Sequence, residues 1–354
     1  MIAGGGTGGH VIPALAIANA IKAAYPAEIC FLGTSRGMET KLVPQAGYPL
    51  ELIAVGQLNR VSLATKLKTL VALPRGIFAT MGLLRRWKPQ VVVGVGGYAS
   101  GPGMLAALVQ GIPTLAFEPN AVPGLANRLV GKRIRAAAVN FQPTVAYFRN
   151  AEVTGIPVRS EFFALPPRPA GSAPRLLVMG GSQGARALNQ RMPEIAKALL
   201  EAVPGLTILH QAGARHAETT EAAYVASGAD PGRWKVQAFL EDMPTQFGAS
   251  DLILARSGAS TVAELAASGK PSLLVPFPQA ADDHQRKNAE VLVEGGAAEM
   301  LVESDMSAEA LLSKLTGLLG DPVKLKFMAE QARGFAHPRA AARIAEMVGG
   351  LASA

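Results

Sequence analysis

Two Rossmann-like α/β domains, each with a parallel sheet and the pair facing a central cleft, are what this sequence predicts. Three observations carry that reading. Short apolar runs alternate with amphipathic stretches along all 354 residues. Glycine-rich turns recur directly after apolar runs. The pattern breaks once, at EFFALPPRPAGSAPR (161–175), and then restarts. At ~150 residues per domain, the length also favours two.

In the first half, EICFLG, PQVVVGV, IPTLAFE and IRAAAVN read as buried strands, and HVIPALAIANAIKAAY, SGPGMLAALVQG and GLANRLVG as the helices between them. Only Met1, Ile2 and Ala3 precede the first glycines. A buried strand usually runs to about five residues, so this reads as a clipped or misplaced start, or else as a short edge strand. The second series opens with RLLVMGGSQGARALNQ. Its strands are TILHQAG, WKVQAF, ASDLILARS, KPSLLVPF and AAEMLVE, and its helices include SGASTVAELAAS and DDHQRKNAEVLVEG. The last segment, PRAAARIAEMVGGLAS, is a helix that either caps the second domain or crosses back to the first. The boundaries expected are 1–158, 159–337 and 338–354.

Composition narrows the function. One cysteine, Cys30, excludes a disulfide framework and any Cys-based zinc site. No apolar run approaches the ~18 residues of a transmembrane helix, and the start carries no signal-peptide core, so a cytoplasmic protein is expected. The charge is uneven. Residues 1–160 hold sixteen Lys and Arg against five Glu and no Asp, a net of +11, whereas 161–354 come to −3. The first half therefore suits an anionic partner: nucleic acid, a phosphorylated ligand or an acidic membrane face. Solubility alone is the plainer explanation. Only 5% of residues are aromatic and no nucleic-acid motif is present, which argues against nucleic acid.

Three glycine-rich turns can offer helix N-terminal NH groups to an anion. GGGTGGH (Gly4 to His10) lacks the Lys-Ser/Thr ending of a Walker A loop. Gly4, Gly6 and Gly9 fit G-x-G-x-x-G, but FLGTSRG supplies Thr34 and Ser35 where a dinucleotide site has an acid, which disfavours an NAD dehydrogenase. His10, at the helix start, is either a general base or a capping residue. GVGGYASGPG (Gly94 to Gly103) and GGSQGAR (from Gly180, with Ser182 and Arg186) are the second and third. RSGASTVAE (Arg256 to Glu264) places a carboxylate, Glu264, where it can accept from vicinal ribose hydroxyls or simply lie solvated. Asp282, Asp283, His284 and Gln285 cluster at a helix start with side chains pointing apart, so helix capping or sugar binding is expected there and metal is not. Between Leu63 and Trp87, apolar residues including Leu70, Leu73, Ile77 and Phe78 lie beside Arg85 and Arg86. That pattern is shared by a membrane-contact stripe and a core helix with a basic face.

In order along nearly the whole chain, GGGTGGH, GVGGYASGPG, EPNAVPGLANR, GGSQGAR, RSGASTVAE and DDHQRKNA resemble the MurG family, the N-acetylglucosaminyltransferases that make lipid II for bacterial peptidoglycan. The resemblance implies a GT-B fold, with the C-terminal helix returning to the first domain. It implies UDP-GlcNAc as donor and lipid I as acceptor, with no cofactor and no metal. It implies a peripheral place on the anionic cytoplasmic face of the inner membrane, in cell-wall synthesis and division and among their proteins. Position by position, Thr7, Gly8, Gly9 and Asn120 would lie by the transferred sugar, with His10 as the base. Arg159 and Ser182 would bind the diphosphate. Leu240 and the turn of Gly258, Ala259, Ser260 and Thr261 would hold uracil and phosphates, Glu264 the ribose and Gln285 the sugar hydroxyls. Gly96, Gly97 and Tyr98 would face the acceptor. Leu70, Leu73, Ile77, Phe78, Arg85 and Arg86 would meet the membrane. Phe117 stands where many members have a histidine, so that role is absent here, and His284 occupies a slot that varies. Another GT-B UDP-sugar transferase with a soluble or different lipid acceptor is the runner-up.

Overall fold

The computed structural model describes residues 1–54, 63–169, 171–181 and 183–353, with the side chains of 63–74 outside that description. The chain divides into two compact units: Met1–Pro157 with Arg339–Ala354, and Val158–Pro338. The Pro-rich stretch 161–175 belongs wholly to the second unit.

The first unit runs β1 (Ile2–Ala3), α1 (Gly8–Ala24), β2 (Phe31–Gly33), α2 (Glu39–Gln45), β3 (Leu50–Leu52), α3 (Leu63–Trp87), β4 (Val92–Gly94), α4 (Ser100–Val109), β5 (Thr114–Glu118), α5 (Leu125–Val130), β6 (Ala136–Val139) and β7 (Ala151–Val153). All pairings are parallel, in the order β3-β2-β1-β4-β5-β6-β7. The two-residue β1 is therefore not an edge strand. It lies at the centre, with Ile2 opposite both Phe31 and Val93. The terminal ammonium of Met1 donates to the Val91 carbonyl at 2.8 Å, and burial lowers its pKa to about 6.

The second unit runs β8 (Arg175–Met179), α6 (Arg186–Ala202), β9 (Thr207–Gln211), α7 (Ala217–Ala226), β10 (Trp234–Gln237), α8 (Met243–Gly248), β11 (Leu252–Ala255), α9 (Ala259–Ser268), β12 (Ser272–Leu274), α10 (His284–Glu294), β13 (Ala298–Met300), α11 (Ala308–Leu319) and α12 (Pro322–Gly334). Its parallel sheet has the order β10-β9-β8-β11-β12-β13. The inner strands β8, β9, β11 and β12 are buried on both faces, as helix-covered parallel sheets require. Leu176, Val178, Leu252 and Leu254 pack with Leu188, Leu199, Leu311 and Leu315 of the covering helices.

The last helix, α13 (Ala340–Ala352), returns to the first unit and packs on α1. Its buried residues Ala340, Ile344, Ala345 and Val348 recur at one-turn spacing, the mark of a single apolar face. The guanidinium of Arg343 donates to both Glu152 oxygens, at 2.6 and 2.8 Å.

Candidate active site

In each sheet the first strand sits beside the fourth, with later strands on one side and earlier strands on the other. Ligands of open α/β sheets bind at such a switch point, outside the carboxyl ends of the strands. The loops there are Gly4–Thr7 and Val95–Tyr98 in the first unit. In the second unit they are Gly180–Ala185 and Arg256–Gly258. The glycine-rich turns singled out from sequence thus fall at the two switch points.

In the first unit the two loops touch: Gly5 NH donates to the Gly96 carbonyl at 3.3 Å. Gly97 has φ +80°, and a Cβ there would strike the Gly5 carbonyl, so both close approach and backbone angle demand glycine. A Cβ on Gly96 would sit 2.9 Å from the His10 ring. Thr7 caps α1 through its carbonyl, which accepts from His10 NH at 3.1 Å, and its Oγ1 lies 3.4 Å from His10 Nδ1. His10 is half-buried, Thr7 and Gly9 are exposed and Gly8 is half-buried. Tyr98 is exposed beside half-buried Gly96 and Gly97.

Two buried carboxylates shape these loops, and sequence reasoning gave neither a role. Glu39 accepts from Gly6 NH at 2.7 Å and from Thr34 NH and Oγ1 at 3.0 Å each. A Cβ on Gly5, Gly33 or Gly37 would collide with its side chain, so three glycines clear its berth. Glu118 accepts from Asn120 NH (3.0 Å) and Nδ2 (3.2 Å), Gly124 NH (3.0 Å) and Asn127 Nδ2 (2.9 Å). Burial raises its pKa in spite of these donors, and the bonds fix Asn120 in place. The signal for Glu118 was its place in EPNAVPGLANR. For Glu39 it was a lone acid among glycines in GTSRGMET.

In the second unit, Gly258 caps α9, which places half-buried Ala259, Ser260 and Thr261 in its first turn. Glu264, one turn further on, is half-buried. Burial pushes its pKa up to about 7, partly opposed by the nearby Arg159 guanidinium. Arg159 itself is exposed and lies over the Phe162 ring at 5.2 Å. Gln285 is held at both ends: its Oε1 accepts from Phe277 NH at 3.0 Å and its carbonyl from Ser257 Oγ at 2.8 Å. The Leu240 side chain is buried, so that residue can reach a ligand only through its backbone, whereas the neighbouring Phe239 ring is 61% exposed. Ser182 lies outside the described residues. Arg256 pairs with Glu303 at 2.6 Å and donates to the Val275 and Pro276 carbonyls, holding the β11 loop onto the end of β12.

The apolar and basic stripe divides between two faces. Ile77 is half-buried and packs against the first unit's core, which removes it from an exposed patch, while Phe78 is 70% exposed. Consecutive residues on a helix point about 100° apart, which lets Ile77 meet the core while Phe78 faces outward. Arg85 and Arg86 are exposed, and Arg86 donates to Glu51 at 2.5 Å. The side chains of Leu70 and Leu73 lie outside the described residues. Among the described residues no helix is long and apolar enough to cross a membrane.

Comparison with known proteins bears on both units. The N-terminal domain of glycosyltransferase family 28 matches residues 1–139 and its C-terminal domain residues 175–344. A protein of Anaeromyxobacter dehalogenans (strain 2CP-C) is 45% identical over 352 residues, covering 98% of this chain and 91% of that protein. One of Stutzerimonas stutzeri (strain A1501) is 43% identical over 350 residues, covering 98% and 97%. Both are named UDP-N-acetylglucosamine–N-acetylmuramyl-(pentapeptide) pyrophosphoryl-undecaprenol N-acetylglucosamine transferase. The crystal structure of MurG from Acinetobacter baumannii superposes with a TM-score of 0.81 at 33% identity, covering 99% of this chain and 98% of that one. A putative UDP-N-acetylglucosamine 2-epimerase from Listeria monocytogenes, at 15% identity and TM-score 0.69, shares the fold alone.

Proposed function

The chain belongs to glycosyltransferase family 28, and from that premise we propose that it moves N-acetylglucosamine from UDP-N-acetylglucosamine to the 4-hydroxyl of the N-acetylmuramoyl group of undecaprenyl-pyrophosphoryl-MurNAc-pentapeptide. The observation that carries this is the 45% identity with a transferase of that name over 98% of the chain, a match that takes in both units.

The first unit takes the acceptor and the second the donor. A sugar hydroxyl is a weak nucleophile, so His10 removes its proton as it attacks. Attack from the face opposite UDP inverts the anomeric centre from α to β. Negative charge then grows on the leaving diphosphate, where the Arg159 guanidinium and the amide groups at the start of α9 stabilise it. Glu264 accepts from the ribose hydroxyls, Gln285 binds the sugar and Asn120 sits by it. Exposed Phe78, with Arg75, Arg85 and Lys88 on the same helix or at its end, contacts anionic lipid on the inner face of the cytoplasmic membrane. Cell-wall and division proteins are its expected neighbours there.

The test is incubation with UDP-N-acetylglucosamine and a short-chain analogue of the lipid acceptor, followed by assay for UDP and a β-1,4-linked disaccharide. No disaccharide would refute the activity. His10→Ala is expected to lower turnover by roughly 10²–10⁴-fold with little change in UDP affinity. If His10 is the base, turnover should rise with pH as its ring loses a proton, and this limb is measured in a Glu264→Gln background because burial moves the Glu264 pKa up to about 7. A limb that survives His10→Ala there removes the base assignment.

A further inference from the structure

The second unit has a cavity of about 510 Å³ at the edge of its sheet opposite the nucleotide loops. Pro174, Asp251 and Pro271, which line it, directly precede β8, β11 and β12, so it opens at the amino ends of the strands. Four cations line it as well: Arg168, Lys270, Lys326 and Arg333. Asp251 is paired with Arg168 and also accepts from Arg175 NH at 2.8 Å. Among the described residues the other three cations have no carboxylate partner. Lys270 is half-buried and uses two of its three protons on the Gly248 and Ser250 carbonyls, at 3.0 and 2.9 Å, which leaves one to donate. Arg333 lies over Gly269, the left-handed cap of α9, where a Cβ would fall 2.6 Å from its Nε. The carbonyl end of α9 offsets only part of its charge.

We propose that this cavity binds a multivalent phosphate anion through Lys270, Lys326 and Arg333. Four cations against the one carboxylate of Asp251 leave an excess of positive charge in the recess, and a single further carboxylate would leave most of it unmatched, whereas a diphosphate or phosphate dianion would match it. Consistent with the crowding, burial and repulsion from Arg168 and Arg333 lower the pKa of Lys270 to about 8, although Asp251 partly opposes them. Leu165 and Leu325 in the walls exclude water from one side and strengthen each charged contact. Residues 165–174 follow the chain's entry into the unit at Val158, and α12 precedes its exit at Pro338. A bound anion would therefore link the segment that enters the unit to the helix that leaves it.

The experiment uses the full chain with saturating UDP, so that the nucleotide loops are occupied. One arm titrates inorganic pyrophosphate by calorimetry. The other measures binding to phosphatidylglycerol vesicles against phosphatidylcholine controls. Each arm is repeated with Lys326→Gln/Arg333→Gln, whose two side chains are exposed, so that UDP affinity and the melting temperature without anion should hold. Affinity is expected to fall tenfold or more in the double variant. Loss in the pyrophosphate arm assigns a soluble phosphate, and loss in the vesicle arm alone assigns a lipid headgroup. Equal binding by wild type and double variant in both arms, or no binding in either, overturns the proposal.

Discussion

Glu118 and Glu264 lie in different units, and burial raises the pKa of both. Around Glu118 the chain supplies four hydrogen bonds, from Asn120, Gly124 and Asn127. Around Glu264 it supplies one nearby charge, Arg159, and, among the described residues, no hydrogen-bond donor to the carboxylate. A buried acid surrounded by its own chain's donors spends its acceptor capacity on holding a loop. One that is half-buried and lacks such donors keeps that capacity for hydroxyls that arrive from outside. The difference supports the proposal that Glu264, and not Glu118, meets substrate.

Four substitutions probe that contrast, in decreasing size of effect. Glu118→Leu takes the acceptor from four donor groups, on Asn120, Gly124 and Asn127, at about 1–3 kcal/mol for each that is buried, so the apparent Tm is expected to fall by about 10 °C in scanning calorimetry. A fall of only a degree or two would mean that the loop does not depend on the carboxylate. Glu39→Gln keeps the volume but turns an NH₂ toward existing donors. It should lose about 1–3 kcal/mol in denaturant unfolding while UDP affinity holds, which would place it with Glu118. Loss of UDP affinity with unchanged stability would move it to the other class.

Glu264→Gln should weaken UDP binding roughly tenfold or more, since a charged acceptor is lost. Its effect on stability has the opposite sign. The folded protein holds this proton up to about pH 7, whereas the unfolded chain releases it near 4.5. Stability in the wild type therefore declines as pH rises from about 4.5 to 7, by an amount on the order of 3 kcal/mol, and the decline is complete above pH 7. The Gln variant should lack it and be the more stable protein at pH 8. Matching pH profiles for the two proteins would show that Glu264 is not buried as an acid. The smallest change is expected for Arg159→Gln, which removes the charge that favours the ionised carboxylate and so shifts the midpoint of that pH dependence upward. A downward shift would contradict the pairing.

Much of the fold was legible in the sequence because parallel strands and their covering helices write separate periodicities, and the glycine turns mark where one gives way to the other. The place of β1 was not legible. Two residues cannot signal a central strand, and Ile2–Ala3 holds that place because its neighbours β2 and β4 pair with it on both sides. The motif EPNAVPGLANR drew attention to Asn120, but that Glu118 is its anchor depends on a turn that brings Gly124 and Asn127 back to it. Glu39 was hidden because its partners, Gly6 and Thr34, come from two other loops. Along α3, helical spacing alone does not say which face meets the core, so Ile77 was grouped with Phe78.

The return of α13 to α1 also sets an order of assembly. During synthesis the second unit, Val158–Pro338, is complete in the chain before the first, which still lacks Arg339–Ala354. Until those last residues emerge, the α1 surface that takes Ile344 and Val348 stays uncovered, and Glu152 waits for Arg343. A ribosome that stalls before Arg339–Ala354 emerge would leave a finished second unit and a first unit with an exposed apolar face, the sort of intermediate that chaperones hold and proteases clear.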